Sequence, residues 1–276
     1  MENIRCEKIT SRKNPKVIAA CALSDKKARD KSGLFCAEGA KLLDELLKEN
    51  IRIRELFYTE KAFEKFSGSI LLAESRGCSI TEVTDEVYAK LSEEKNPEGI
   101  FAAAEKFKIY PCAAETPGNG GFLILDRVQN PSNVGAIIRN AAALGISRVL
   151  LGEGCADVFS RKTLRAAMGT VFKLSICITD DICRETAEIK AGGSKIFGAA
   201  LAADSEDLRR VCFDERDSLV IGSEGSGISE KMLDLCDKKI IIPMRQNTES
   251  LNAAAAAAVL IWEKQRNAGV LAAVTP

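Results

Sequence analysis

Histidine is absent from all 276 residues of this chain. That excludes the Ser-His-Asp triad, the Cys-His nucleophile, histidine-ligated metals and the usual general base of neutral pH. Long apolar runs are missing too. The alanines and VLIW near the C-terminus make ten residues, against roughly 18 for a membrane helix. The polar opening MENIRCEKITSRKNPK has no secretory h-region, so no signal peptide is expected. Ten cysteines occur, but singly, without a Cys-x-x-Cys pair. They read as thiols in a reducing cytoplasm, and neither disulfides nor a metal site is expected. Any chemistry must therefore run on Arg, Lys, Glu, Ser, Asn or a cofactor.

What is present fits a globular protein of two domains, with 46% apolar and 28% charged residues. The 39 basic and 39 acidic residues balance overall but not locally. Residues 1–31 hold nine basic and four acidic side chains, a net of +5, with Arg12 and Lys13 among them. A second basic stretch, SRKTLRAAMGTVFK, carries Arg161, Lys162, Arg165 and Lys173 and no acid. Charge alone leaves two readings open, a solvated helix face or the footprint of a polyanion.

Composition divides the chain. KIYPCAAETPGNGG, residues 108–121, has two prolines and three glycines and reads as a linker. Before it, residues 1–107 form a small α/β domain. AKLLDELLKEN predicts a helix with Leu42, Leu43, Leu46 and Leu47 on one face, stopped at Asn50. IRIRELFYT and GIFAAAEKF read as strands, and TDEVYAKLSE as a helix. After the linker, apolar strands alternate with helices across 122–276, which predicts a parallel sheet covered on both faces. Ligands of such sheets lie at the carboxyl ends of the strands.

Three loops at those ends stand out. DRVQNPSNVGAIIRNAAALG predicts a helix from about Asn133, capped by that residue, with Arg139 on an otherwise apolar surface. A guanidinium cannot shed its charge, so it needs a cleft or a partner. LVIGSEGSGIS ends a strand in three glycines around Glu224. It lacks the dinucleotide fingerprint and reads as a tight turn or a site. IIIPMRQNTESLN leads into six alanines, placing Ser250 and Asn252 at the first turn of a helix slim enough to pack closely on every side.

Together, NPSNVGAIIRNAAALG, IGSEGSGIS and IPMRQNTESLNAAAAA resemble the three motifs of the SpoU (TrmH-type) RNA 2′-O-ribose methyltransferases, members of the SPOUT superfamily. RKTLRAAMGTVF resembles the family's basic segment between motifs one and two. SGLFCAEGAKLLDELL and NPEGIFAAAEK resemble the substrate-binding domain of rRNA-directed members, which has a ribosomal-protein-like α/β fold. Gln246 stands where the family often has glycine, and Ala253 where it often has valine.

The resemblance implies a parallel α/β domain with a deep trefoil knot, a homodimer through the knot region, and S-adenosylmethionine as cofactor. Gly222, Ser223, Glu224, Ile242, Met244 and Leu251 are then its binding residues. The active-site residues are Asn133, Arg139, Glu224, Ser250 and Asn252. Arg139 is expected to clamp the ribose 2′-oxygen and an adjacent phosphate. Arg12, Lys13, Arg161, Lys162 and Arg165 are expected to meet RNA phosphates. The expected reaction is methylation of a ribose 2′-hydroxyl in 23S-type rRNA, in the cytoplasm and away from membranes. Other readings are a tRNA methyltransferase, a non-catalytic RNA-binding or ribosome-assembly protein of the same fold, and a nicotinamide-dependent oxidoreductase.

Overall fold

The computed structural model describes residues 8–245 and 251–270. The chain divides into two compact units. The first runs to Phe107 and also takes Phe159–Phe172; the second comprises Lys108–Val158 and everything from Lys173 onward.

In the first unit the elements run β1 (Lys8–Ile9), α1 (Pro15–Ala22), α2 (Lys26–Ser32), β2 (Leu34–Glu38), α3 (Ala40–Lys48) and β3 (Ile53–Tyr58). They continue with α4 (Glu60–Ser75), β4 (Ser79–Val83), α5 (Asp85–Leu91) and β5 (Ile100–Glu105). The sheet order is β1-β4-β3-β5-β2, with β5 antiparallel to both neighbours and the other pairs parallel. Helix α3 forms as its leucine spacing predicts. Leu42, Leu43, Leu46 and Leu47 are all buried, each contributing about 1.5–3 kcal/mol by leaving water. Asn50 then turns into the left-handed region at φ 54° and reverses the chain. Val17, Phe57, Val87, Leu91 and Phe101 fill the core between sheet and helices.

The second unit opens with β6 (Ile109–Tyr110), an edge strand inside the expected linker. Then come β7 (Phe122–Asp126), α6 (Pro131–Ala143) and β8 (Arg148–Leu151). The chain next lends α7 (Arg161–Ala167) to the first unit. It returns as β9 (Ser175–Ile178), α8 (Ile182–Ala191), β10 (Ile196–Ala199), β11 (Glu206–Asp207), β12 (Ser218–Gly222), α9 (Glu230–Leu235), β13 (Lys238–Ile241) and α10 (Ala253–Asn267). The eight strands lie in the order β11-β13-β10-β12-β7-β8-β9-β6, and every pair is parallel. All five residues of β7 are buried, as a strand covered on both faces requires. Strand order runs outward from β7 to β8 and β9, then jumps across to β10. In open α/β sheets such reversals of strand order mark where ligands bind, at the carboxyl ends.

The segment from Phe159 to Phe172 is held in the first unit by aromatic and ionic contacts. The Phe159 ring lies 5.6 Å from that of Phe35 and 4.6 Å from that of Phe107, and the Phe172 ring 5.9 Å from that of Phe35. Arg161, at the start of α7, donates from Nη1 to Leu91 O at 2.6 Å and from Nε to Cys36 Sγ at 3.2 Å. Its Nη1 is 3.8 Å from both Glu38 Oε2 and Glu93 Oε1, and its guanidinium covers the Phe101 ring at 5.0 Å. Gly169, at φ 81°, passes so close to Glu45 that an added Cβ would fall 2.6 Å from its Cγ.

Candidate active site

The loop after β12 folds back on its own strand. Ser223 and Gly227 exchange two backbone hydrogen bonds, at 3.1 and 3.0 Å, and the Ser223 and Ser226 hydroxyls lie 2.8 Å apart. Such a closed loop tolerates no side chain at its base. A Cβ on Gly222 would lie 2.2 Å from the carbonyl carbon of Gly227. Glu224 and Gly225 stand exposed at the tip. The loop's far end is pinned to β7, where the buried Asp126 accepts the Ser229 N–H at 2.6 Å on Oδ2.

Helix α6 begins two residues earlier than its sequence suggests. Asn130, not Asn133, is the cap, accepting from Ser132 N at 2.9 Å, and Pro131 occupies the first turn, where its missing N–H costs nothing. Asn133 is thereby freed from capping and is buried, 7% exposed. Its Oδ1 accepts from Asn252 Nδ2 at 3.1 Å. Asn252 in turn caps α10, its Oδ1 taking Ala254 N at 2.9 Å and Ala255 N at 3.4 Å. One side chain thus starts one helix and ties it to another. Asn140 adds a second tie, Nδ2 to Ala254 O at 3.1 Å.

Between the loop after β12 and the start of α10 lies a cavity of about 390 Å³ at the carboxyl ends of β10, β12 and β13, within the range of small-molecule sites. All six residues expected to hold the cofactor line it: Gly222, Ser223, Glu224, Ile242, Met244 and Leu251. Ala253 and Ala256 of α10 form part of the wall. Longer side chains at those two positions would enter this space, which gives the alanine run a physical reason. Ile221, Ile228, Ile240 and Leu260 make the rest largely apolar, and the strand ends and glycine loop supply backbone polar groups. That combination suits a ligand with a flat heterocycle and a few polar groups.

Arg139 is exposed, has no hydrogen-bond or ion-pair partner among the described residues, and does not line the cavity. Ser250 and Gln246 lie outside the described residues. Of the expected phosphate contacts, Arg12, Lys13 and Lys162 are exposed, and Arg12 Nε donates to Glu86 O at 2.9 Å. Arg165 is paired with Glu94, and Arg161 carries the internal contacts described above, its side chain only 10% exposed. Thiol chemistry finds no support at three cysteines of the second unit. Burial pushes Cys155, Cys177 and Cys236 up to about 11, far from the thiolate at neutral pH. Asp126 and Arg127 went unnoticed in the sequence. Their only signal was an acidic residue closing an otherwise apolar strand.

A ligand cavity at the carboxyl edge of a parallel sheet places the second unit among the α/β enzymes that hold a nucleotide-like cofactor. Within that class the chain belongs to the SpoU rRNA methylase family, whose sequence model matches residues 121–262. An MRM3-like substrate-binding domain is matched by residues 7–102. The chain is 30% identical over 256 residues to the 23S rRNA (guanosine(2553)-2′-O)-methyltransferase RlmP of Bacillus subtilis, covering 93% of this chain and 98% of the relative. It is 26% identical to the mitochondrial rRNA methyltransferase 3 of Homo sapiens, covering 86% and 69%. The crystal structure of an AdoMet-bound rRNA methyltransferase from Sinorhizobium meliloti superposes with a TM-score of 0.84 at 30% identity, covering 97% and 99%. No helix among the described residues is long and apolar enough to cross a membrane.

Proposed function

We propose that this member of the SpoU family transfers the methyl group of S-adenosylmethionine to a ribose 2′-hydroxyl of 23S-type rRNA. The observation that carries this reading is one cavity lined by the glycine loop after β12, the end of β13 and the start of α10, the last tied to the Asn133 motif by the Asn252–Asn133 bond. Gly222, Ser223, Glu224, Ile242, Met244 and Leu251 hold the cofactor there. When bound, it supplies a sulfonium methyl already activated for transfer, so the protein contributes alignment more than acid–base work.

Arg139 is the clamp on the substrate. A guanidinium keeps its proton in a protein, so it cannot serve as base. It stabilises negative charge building on the 2′-oxygen and holds the adjacent phosphate, the hydroxyl proton passing to water as the methyl leaves the sulfonium. Ser250 and Asn252 orient the ribose. Asn133 holds Asn252, and Glu224 steadies the glycine loop. The chain acts as a homodimer through its knotted region, with the trefoil knot of the family formed by the segment that carries the glycine loop and α10. Ala255, Val259 and Trp262 support this. They form one exposed row on α10, with Val259 at 41% and Trp262 at 47% exposure. A partner covering that row also offers Arg139 a route to a cavity it does not line in its own chain.

In the first unit, Arg12, Lys13, Lys162 and Arg165 meet RNA phosphates, while Arg161, through its internal contacts, holds the segment that presents two of them. The match of residues 7–102 to a substrate-binding domain favours rRNA over tRNA. The nine cysteines among the described residues are all unpaired, which suits a reducing cytoplasm. The test is methyl transfer from tritium-labelled S-adenosylmethionine to a 23S rRNA transcript, followed by alkaline hydrolysis. A 2′-O-methyl blocks cleavage, so label in alkali-resistant dinucleotides is expected. Label in mononucleotides, or none at all, overturns the reading.

A further inference from the structure

Arg127 follows β7 in a conformation its residue type disfavours. Its φ is 55°, in the left-handed region, where a side chain costs roughly 1–2 kcal/mol. Two other described non-glycine residues share that region, Asn50 and Met168. Asparagine tolerates it, and Met168 is the reversal that ends α7. Arg127 has neither reason. A glycine or asparagine there would relieve the strain, and strain of this kind persists where a side chain is needed.

Nothing in the fold needs much of this side chain. It is 42% exposed and makes no hydrogen bond among the described residues. Its one ionic contact joins Nε to Asp126 Oδ1 at 3.3 Å. Asp126 is itself 3% exposed, and its other oxygen accepts the Ser229 N–H at 2.6 Å. The same carboxylate therefore aims the base of the guanidinium and fixes the end of the loop that lines the cavity. Both terminal nitrogens of Arg127 remain without a protein partner among the described residues. They stand at the carboxyl end of β7, three residues before Asn130, which caps α6. A fork of two free N–H groups on an anchored guanidinium matches the oxygens of a phosphate.

We propose that Arg127 is a second cationic anchor for RNA at this site, gripping a backbone phosphate near the ribose to be methylated, a role that rests on the RNA-directed reading above. The alternative is that Arg127 only neutralises Asp126. Salt dependence separates the two, because each phosphate contact releases counterions and a purely internal ion pair releases none. Binding of a 23S rRNA transcript to the full chain would be measured across a series of KCl concentrations, beside steady-state methylation. Arg127→Gln should lower the slope of log affinity against log salt by about 0.7–0.9 and raise KM for RNA, with kcat and S-adenosylmethionine affinity unchanged. Arg127→Lys should keep the slope. Should the Gln variant not fold, Asp126→Asn combined with Arg127→Gln removes both charges and should show the same loss of slope. A folded variant with wild-type slope and KM, while the wild type methylates, overturns the role of Arg127 alone. A wild type that neither binds nor methylates RNA overturns both.

Discussion

Asn252 donates its side-chain amide to Oδ1 of Asn133 across 3.1 Å, joining two helix starts 119 residues apart in sequence. The same side chain caps α10 through its own oxygen, so two roles meet in one residue: helix stability and loop alignment. They can be separated. Serine caps well but is too short to reach Asn133. Asn252→Ser should keep the melting temperature close to wild type, whereas Asn252→Ala should lose about 1 kcal/mol of stability. Both should lower kcat/KM for methyl transfer at least about tenfold, or about 1.4 kcal/mol in barrier. Thermal denaturation beside a methylation assay checks this.

Arg161 is predicted to matter for folding more than for RNA. Removing it takes a cation from beside the Glu38 carboxylate, whose side chain is 9% exposed and keeps only the neutral donors Tyr88 OH, Ser92 Oγ and Glu93 N–H, and also frees Leu91 O. Breaking a buried ion pair by deleting one partner costs about 3 kcal/mol or more. Arg161→Met should shift the urea midpoint accordingly, and adding Glu38→Gln should recover part of the loss. If Arg161→Met unfolds like wild type and instead weakens RNA binding, Arg161 is a phosphate contact after all.

Trp262→Glu places a charge in the exposed apolar row of α10. If that row is the dimer surface, light scattering should show a monomer at micromolar concentration, and methylation should fall with it. Dimers that survive the substitution would move the interface elsewhere.

Much of this was legible locally. The alternation of apolar strands and helices after residue 121 gave the parallel sheet, and four leucines at helical spacing gave α3. The loops that line the cavity were visible because glycine and alanine runs mark places where backbone must come close. What stayed hidden was non-local. Phe159 and Phe172 join the first unit because Phe35 lies under both, more than a hundred residues earlier, and no pattern within their own segment encodes that. Arg161 looked like surface charge because helical spacing cannot show that Glu38 waits beneath it. The cap of α6 lies three residues before the one expected because Asn130 and Asn133 are equally good caps by type. Only Pro131, fitting the first turn, decides between them. The left-handed backbone of Arg127 has no signature at all in an arginine.

The most direct measurement is single-turnover methyl transfer by Arg139→Ala, alongside calorimetric titration of the same variant with S-adenosylmethionine. Arg139 does not line the cofactor cavity of its own chain, so cofactor affinity should match wild type while transfer to RNA falls by at least about a hundredfold, or about 2.7 kcal/mol. Transfer within about tenfold of wild type would contradict the role given to this guanidinium, and with it the proposed way the site activates a ribose hydroxyl.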